Sequence, residues 1–343
     1  MASITSSPLS FFCDSLNYSQ SKVADLYHRN GIEFDCFGLV GPSIPLPTFN
    51  STVNDFCLDS RDAIVAWKIG EHFDLACLGD FGASISTAPT LYDALKAFEI
   101  GFCTIQTESQ ASLLVEDNVA IFEYRILDYN IWPRRNDALL TLGLVKGVID
   151  RYYTSESVPI DICFEHMKGE EFSPLSANIR SMPRYEQNSN SISFPAPLLE
   201  RKLSLDQIAA FQAAFSRLQA RAREIEKNRD LCARITSEIY RNLGKDALDQ
   251  TSIARTLAMS RRTLRRKLEE SKRTFKEILN DCRKSTAINL LARTRLPLCQ
   301  IALTLGYSDQ TAFTRAFSRW YGMSPSRFRK ELPDSSFVSN STN

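Results

Sequence analysis

In the last third of the chain, apolar side chains recur at helical steps in short blocks that turn residues interrupt. Leu231, Ile235, Ile239 and Leu243 mark one helix, closed by Gly244. Residues 252–257 form a second, short helix, and Ser260 caps a third over 261–268. A longer helix over 274–292 presents Phe275, Ile278, Leu279, Ala287, Leu290 and Leu291. Pro297 separates it from a short helix over 298–305, with Ile301, Ala302 and Leu305 on one side. Beyond Gly306, Ser308 or Asp309 caps a helix whose Phe313, Ala316, Phe317 and Trp320 share a face. Gln310, Thr311, Thr314 and Arg315 fall towards its other face. Residues 322–325 break the chain before a last short helix carrying Phe328.

The first two-thirds mixes periods. Residues 1–20 are Ser-rich and read as a loose leader, and 21–30 as a short helix stopped by Gly31. Pro42, Pro45 and Pro47 remove amide donors, which argues against regular structure there. Phe56, Ile64, Val65, Ile69 and Phe73 indicate one or two helices over 48–73, and Leu91, Leu95, Phe98 and Phe102 a helix over 90–102. Runs at 111–116 and 119–127 flank Asp117-Asn118 and predict a hairpin. A long apolar helix follows over 135–153, then a strand over 160–164 and a second hairpin from 184–187 and 191–194. The expected architecture is an α+β domain over 21–200 and an all-α domain over 228–332.

Between them, Ile208, Phe211, Phe215, Leu218, Ala222 and Ile225 alternate in steps of three and four within 204–227. Two readings fit: the seam of a dimerisation helix, or an amphipathic helix lying on its own domain. Residues 333–343 are Ser/Asn-rich and read as a disordered tail.

One pattern occurs twice. Ile253-Ala254-x-x-Leu257-x-x-Ser260 recurs as Ile301-Ala302-x-x-Leu305-x-x-Ser308, offset by 48. One inserted residue later, Leu264-x-Arg266-x-Leu268 matches Phe313-x-Arg315-x-Phe317 at offset 49. Two short helices joined by a tight turn make a helix-turn-helix unit, and the repeat supplies two units.

Charge sharpens the division. Residues 1–227 carry 19 Lys+Arg against 29 Asp+Glu, so −10; residues 228–343 carry 22 against 11, so +11, and the sum is the chain's +1. A basic third joined to an acidic remainder suggests a nucleic-acid-binding module on a domain with another task. The nine cysteines are scattered without a Cys-x-x-Cys pair, which suits reduced thiols in a cytoplasmic protein and excludes a zinc-site pattern. No apolar run approaches a membrane span. No Gly-x-Ser-x-Gly elbow or Gly-rich phosphate loop appears, and His28, His72 and His166 lack ligand spacing, so neither an enzyme nor a cofactor or metal site is expected.

The phrase Ile301-Ala302 … Leu305-Gly306-Tyr307-Ser308-Asp309-Gln310 … Phe313 … Arg315-Ala316-Phe317 … Gly322-Met323-Ser324-Pro325 resembles the hallmark segment of AraC/XylS-type transcription regulators. The resemblance covers about 228–332. Ala258 departs from it, standing where many members have Gly. More loosely, Gly79-x-Phe81-Gly82 and Ala88-Pro89-Thr90-Leu91-x-x-Ala94-Leu95 are similar to the sensing domain of a subgroup that includes ornithine-utilisation regulators.

In such a domain, recognition helices enter the major groove and read base edges. Arg262, Arg265 and Arg266 are the expected groove-facing residues of the first unit, with Arg261 and Lys267 as phosphate partners. Arg266 and Arg315 are the matched pair of the repeat, so a shared structural role competes with base contact. Gln310, Thr311, Thr314 and Arg315 form the corresponding face of the second unit, as the resemblance also implies.

The resemblance further implies a small-molecule effector in the first domain. Trp67, Phe73, Glu123, Tyr124, Trp132 and Glu165 are candidates to line its pocket, against the reading that they are ordinary core. The acidic balance leans towards an amine or amino acid. The expected partners are double-stranded DNA, the effector, RNA polymerase and, if Ile208, Phe211, Phe215 and Leu218 form a seam, a second copy; no membrane is expected. The expected function is a ligand-responsive regulator, an activator rather than a repressor. The alternative is a ligand-independent regulator whose first domain only dimerises or docks proteins.

Overall fold

Asp117 and Asn118 both take positive φ, +47° and +65°, the geometry of a tight hairpin turn whose twist matches that of the strands it joins. In the computed structural model the flanking strands pair in register from Ser109↔Ile126 to Glu116↔Val119. The structure describes residues 2–32, 42–128, 131, 134–153, 159–187, 189–203, 207–244 and 248–331. The chain divides into two compact units between Lys227 and Asn228.

The first unit opens with β1 (Ser3–Thr5), α1 (Ser7–Ser15), α2 (Gln20–Arg29) and β2 (Ser43–Pro45). It continues with α3 (Leu46–Ser60), α4 (Val65–Glu71), α5 (Gly79–Ser86) and α6 (Leu91–Gly101). The hairpin β3 (Ser109–Glu116) and β4 (Val119–Ile126) precedes α7 (Arg135–Arg151), β5 (Asp161–Cys163), α8 (Phe172–Ile179), β6 (Asn190–Pro195) and α9 (Ile208–Asn228). The larger sheet has the order β3-β4-β6-β5, antiparallel throughout. Alternate residues of β4, from Ala120 to Ile126, are buried. Phe122 meets Phe98 of α6 edge-on at 5.1 Å, tying helix to sheet. The α+β expectation for this unit therefore holds.

Three local expectations need correction. The loose leader is folded: β1 pairs with β2, and Leu9, Phe12 and Cys13 of α1 are buried. Its serines form local bonds, such as Ser10 Oγ to the Ser7 carbonyl at 2.7 Å, so a Ser-rich composition does not prevent a helix. The proline stretch holds regular structure because Pro45 ends an edge strand and Pro47 sits in the first turn of α3, where the missing amide has no intrahelical partner. The second hairpin does not form. β6 pairs with β4 and β5 instead, and Arg184 makes only an isolated bridge to Cys163.

Of the two readings of 204–227, the packing of α9 fits the helix that lies on its own domain. Phe211 and Leu218 are buried in the core of the first unit, and Phe215 packs against it. Leu218 lies so close to α6 that a Cβ on Gly101 would meet its Cδ2 at 2.6 Å. Arg217 pairs with Asp80 at 2.8 Å. Three of the four seam residues thus cover the chain's own domain, and Ile208 stays exposed.

In the second unit, α10 (Leu231–Asn242), α11 (Gln250–Thr256), α12 (Arg261–Glu270), α13 (Phe275–Arg293), α14 (Leu298–Thr304), α15 (Gln310–Tyr321) and α16 (Pro325–Glu331) follow the predicted order. The expected tail over 333–343 lies outside the described residues.

Candidate nucleic-acid interface

Each helix-turn-helix unit is built from local capping and a left-handed turn. The Asp249 side chain accepts from the Ser252 amide and starts α11; Ser260 accepts from the Thr263 amide and starts α12. In the second unit the cap of α15 is Asp309, accepting from the Ala312 amide at 2.7 Å, while Ser308 donates to the Asp309 carboxylate. Ser260 therefore corresponds to Asp309, and the inserted residue of the repeat falls in the second turn. The Ala312 amide and then the Ser308 hydroxyl hold the Asp309 carboxyl below its usual range. The turns pivot on Ala258 at φ +53° and Gly306 at φ +73°. Ala258 thus occupies the left-handed region without glycine's freedom.

Leu264 and Leu268 bury the inner face of α12. Arg261, Arg262, Arg265 and Arg266 project outward and are exposed, while Lys267 is half-buried. Arg265 pairs with Glu269 and Arg266 with Glu270, both at 2.8 Å along one exposed helix face. Exposed pairs of this kind contribute little stability, so an anionic partner can displace them. Arg315, the counterpart of Arg266, makes no salt bridge among the described residues, so a shared bridge does not explain the matched pair. Arg261, Arg262 and Arg265 line a cleft of about 730 Å³ together with Gln250, Arg273 and Lys276. The last three were not singled out from sequence. Their signal is positional: Arg273 and Lys276 flank Thr274, which caps α13.

On α15, Phe313, Ala316 and Phe317 are buried, Gln310, Thr311 and Arg315 exposed, and Thr314 half-buried. Arg283 of α13 braces this unit. Its Nε donates to the Leu305 carbonyl at 2.9 Å and its Nη2 to the Gly306 carbonyl at 3.1 Å, with the guanidinium 4.6 Å from the Tyr307 ring centre. The carbonyls at the end of α14 thereby gain a cationic partner.

The effector candidates scatter. Trp67 is fully buried and its indole donates to Asn178 at 2.9 Å. Glu165 pairs with the buried Arg134 at 3.2 Å, and Glu123 accepts from Ser189 at 2.9 Å. Tyr124 is buried; its hydroxyl donates to Asp137 and accepts from Gln106 Nε2 at 2.7 Å. Phe73 is half-buried and lines two cavities. Trp132 lies outside the described residues. Burial pushes the Asp137 carboxyl up to about 7 and the His166 imidazole down to about 4. No cluster of His, Cys, Asp or Glu among the described residues could hold a metal ion, and their cysteines are free thiols. No helix among them is long and apolar enough to cross a membrane.

Residues 253–331 match a helix-turn-helix domain family, and residues 28–203 match the arabinose-binding domain found at the N-terminus of AraC transcription regulators. The ornithine utilization regulator of Pseudomonas aeruginosa is 35% identical over 146 residues, so the chain spans only 43% of that relative's length. The regulator VqsM of the same organism is 25% identical over 288 residues, 77% of this chain and 83% of that one. The virulence regulon transcriptional activator VirF of Shigella flexneri is 22% identical over 230 residues, 66% of this chain and 86% of that one. With its paired helix-turn-helix units and a sensing-domain match over more than half its length, the chain belongs to the AraC family of DNA-binding transcription regulators, carrying an N-terminal ligand-binding domain.

Proposed function

We propose that this regulator activates transcription in response to a small cationic amine or amino acid. The observation that carries the DNA side is the outward arginine cluster of α12 beside Arg273 and Lys276, repeated in plan but not in charge by α15. Arg262, Arg265 and Arg266 read base edges, arginine being able to bond guanine bidentately. Arg261, Lys267, Arg273 and Lys276 hold phosphates, which fix register without specifying sequence. Gln310, Thr311, Thr314 and Arg315 read the next groove segment. The activating sense, exerted through RNA polymerase, is supported by the likeness to VirF. The effector class is supported by the net −10 of residues 1–227 and by the name of the ornithine utilization regulator.

Footprinting on the adjacent promoter, with and without amines, amino acids and sugars, tests this reading. The expected result is protection of two adjacent groove segments that changes with an amine or amino acid. Protection indifferent to every small molecule would favour a ligand-independent regulator instead.

A further inference from the structure

The first unit holds a small cavity with one unusual wall. It measures about 40 Å³, and Phe73, Phe81, Phe102, Leu140 and Leu144 make it apolar. Its polar lining is Gln106, Asp137 and Thr141. Asp137 is 2% exposed, in the first turn of α7. One of its oxygens accepts from Tyr124, whose hydroxyl is itself held by Gln106. Arg134, whose charge also acts on Asp137, bonds to Glu165 and to the carbonyls of Ile126 and Asp128. Asp137 therefore has a hydroxyl partner and no contacting counter-ion among the described residues. A buried carboxylate in that condition is costly unless a cation joins it.

A second cavity lies next to the first. The cleft where α4 meets α7 measures about 360 Å³ and carries Glu71, His72, Asp74 and Arg151. Phe73 and Leu144 line both spaces, so these two side chains form the partition between them. α4 and α7 cross at backbone contact: a Cβ on Gly143 would meet the Trp67 carbonyl at 2.4 Å. The two helices are thereby held close at their crossing, and Phe73 and Leu144 stand between the two spaces.

We propose that these two spaces form one binding site for a linear aliphatic amine. The ammonium joins the Asp137 carboxylate, the methylene stem passes between Phe73 and Leu144, and the far end lies in the open cleft. The inner space, about 40 Å³, takes the ammonium end and is too small for a sugar ring, so the rest of the stem lies beyond Phe73 and Leu144. This assignment rests on the reading of the first unit as a ligand-binding domain.

The test is titration calorimetry on the full chain with n-butylamine and n-butanol as probes. Butylamine should bind, and butanol at least roughly tenfold more weakly, as a charge-assisted bond to a carboxylate implies. Asp137→Asn should weaken butylamine by a similar factor while leaving DNA binding intact. Leu144→Phe, which narrows the passage and spares the carboxylate, should also weaken it. Affinity should rise between pH 6 and pH 8 as Asp137 ionises, with Tyr124 neutral; Arg134 and Glu165 are the other ionisable groups that act on this carboxyl. Equal affinity for butylamine and butanol, or for wild type and Asp137→Asn, overturns the site. Footprinting separates the two readings. Butylamine that binds through Asp137 without changing the footprint leaves the site standing and removes the regulatory role. An effector that changes the footprint equally in Asp137→Asn keeps the role and removes the site.

Discussion

The two helix-turn-helix units share a plan and differ in what supports it. The first rests on an aliphatic core of Leu264 and Leu268, pivots on Ala258, and carries its charge outward as arginine. The second rests on aromatics: Phe317 touches Phe313, Tyr321 and Phe328 at 4.7 to 5.8 Å between ring centres. It pivots on Gly306 and is braced by Arg283. Charge and rigidity are thus distributed unequally. The unit with fewer cations is the one with more internal bracing, in keeping with the proposal that the first helix supplies most of the electrostatic grip on DNA.

The largest expected effect tests the cores. Phe317→Ala should cost about 3–5 kcal/mol and Leu268→Ala about 2–5, by chemical denaturation, the aromatic loss being the larger. A smaller loss at Phe317 would break the claim that the second unit is the better packed. Next come the DNA faces. Arg265→Ala should cost about 1–3 kcal/mol on the specific site and little on random DNA. Thr314→Ala should cost about 0.5–1.5, the range of a neutral hydrogen bond. If Arg265 instead weakens both DNAs equally and lowers the salt slope by about 1, it is a phosphate contact.

The turns give a smaller, sharper contrast. Gly306→Ala places a Cβ at positive φ and should cost about 1–2 kcal/mol. Ala258→Gly relieves the same strain and loses part of the gain to backbone entropy, so its melting temperature should hold or rise slightly. The caps differ least. Ser260→Ala should cost about 1 kcal/mol at any pH. The Asp309 cap has its folded pKa below the unfolded value. Its contribution is complete above about pH 4 and is lost as pH falls through the folded pKa, so Asp309→Ala should matter at pH 7 and cease to matter in acid. A loss at Asp309 that persists unchanged in acid would show that geometry, not charge, makes the cap.

Much of the second unit was legible because its information is local. Cap, turn and apolar period sit within a few residues of one another, and repetition at offset 48–49 gave each unit a check. The outward arginines could be read from helical spacing alone. Arg283 could not, because its partners at Leu305 and Gly306 are 22 and 23 residues away. The first unit was legible only in outline. The β3–β4 hairpin announced itself through Asp117-Asn118, whereas β6 joins β4 across some 70 residues and no local signal reports that pairing.

The sequence alone determined the two-unit DNA-binding plan, the division of charge and the family, since these depend on short-range period and composition. Tertiary structure decided three things: that β1 and α1 send side chains such as Ile4, Leu9 and Phe12 into the core, that α9 covers its own domain, and that Asp137 lines an apolar cavity. Each depends on which distant surfaces remove one another from water, and a period along the chain shows that a face is apolar without showing what it meets.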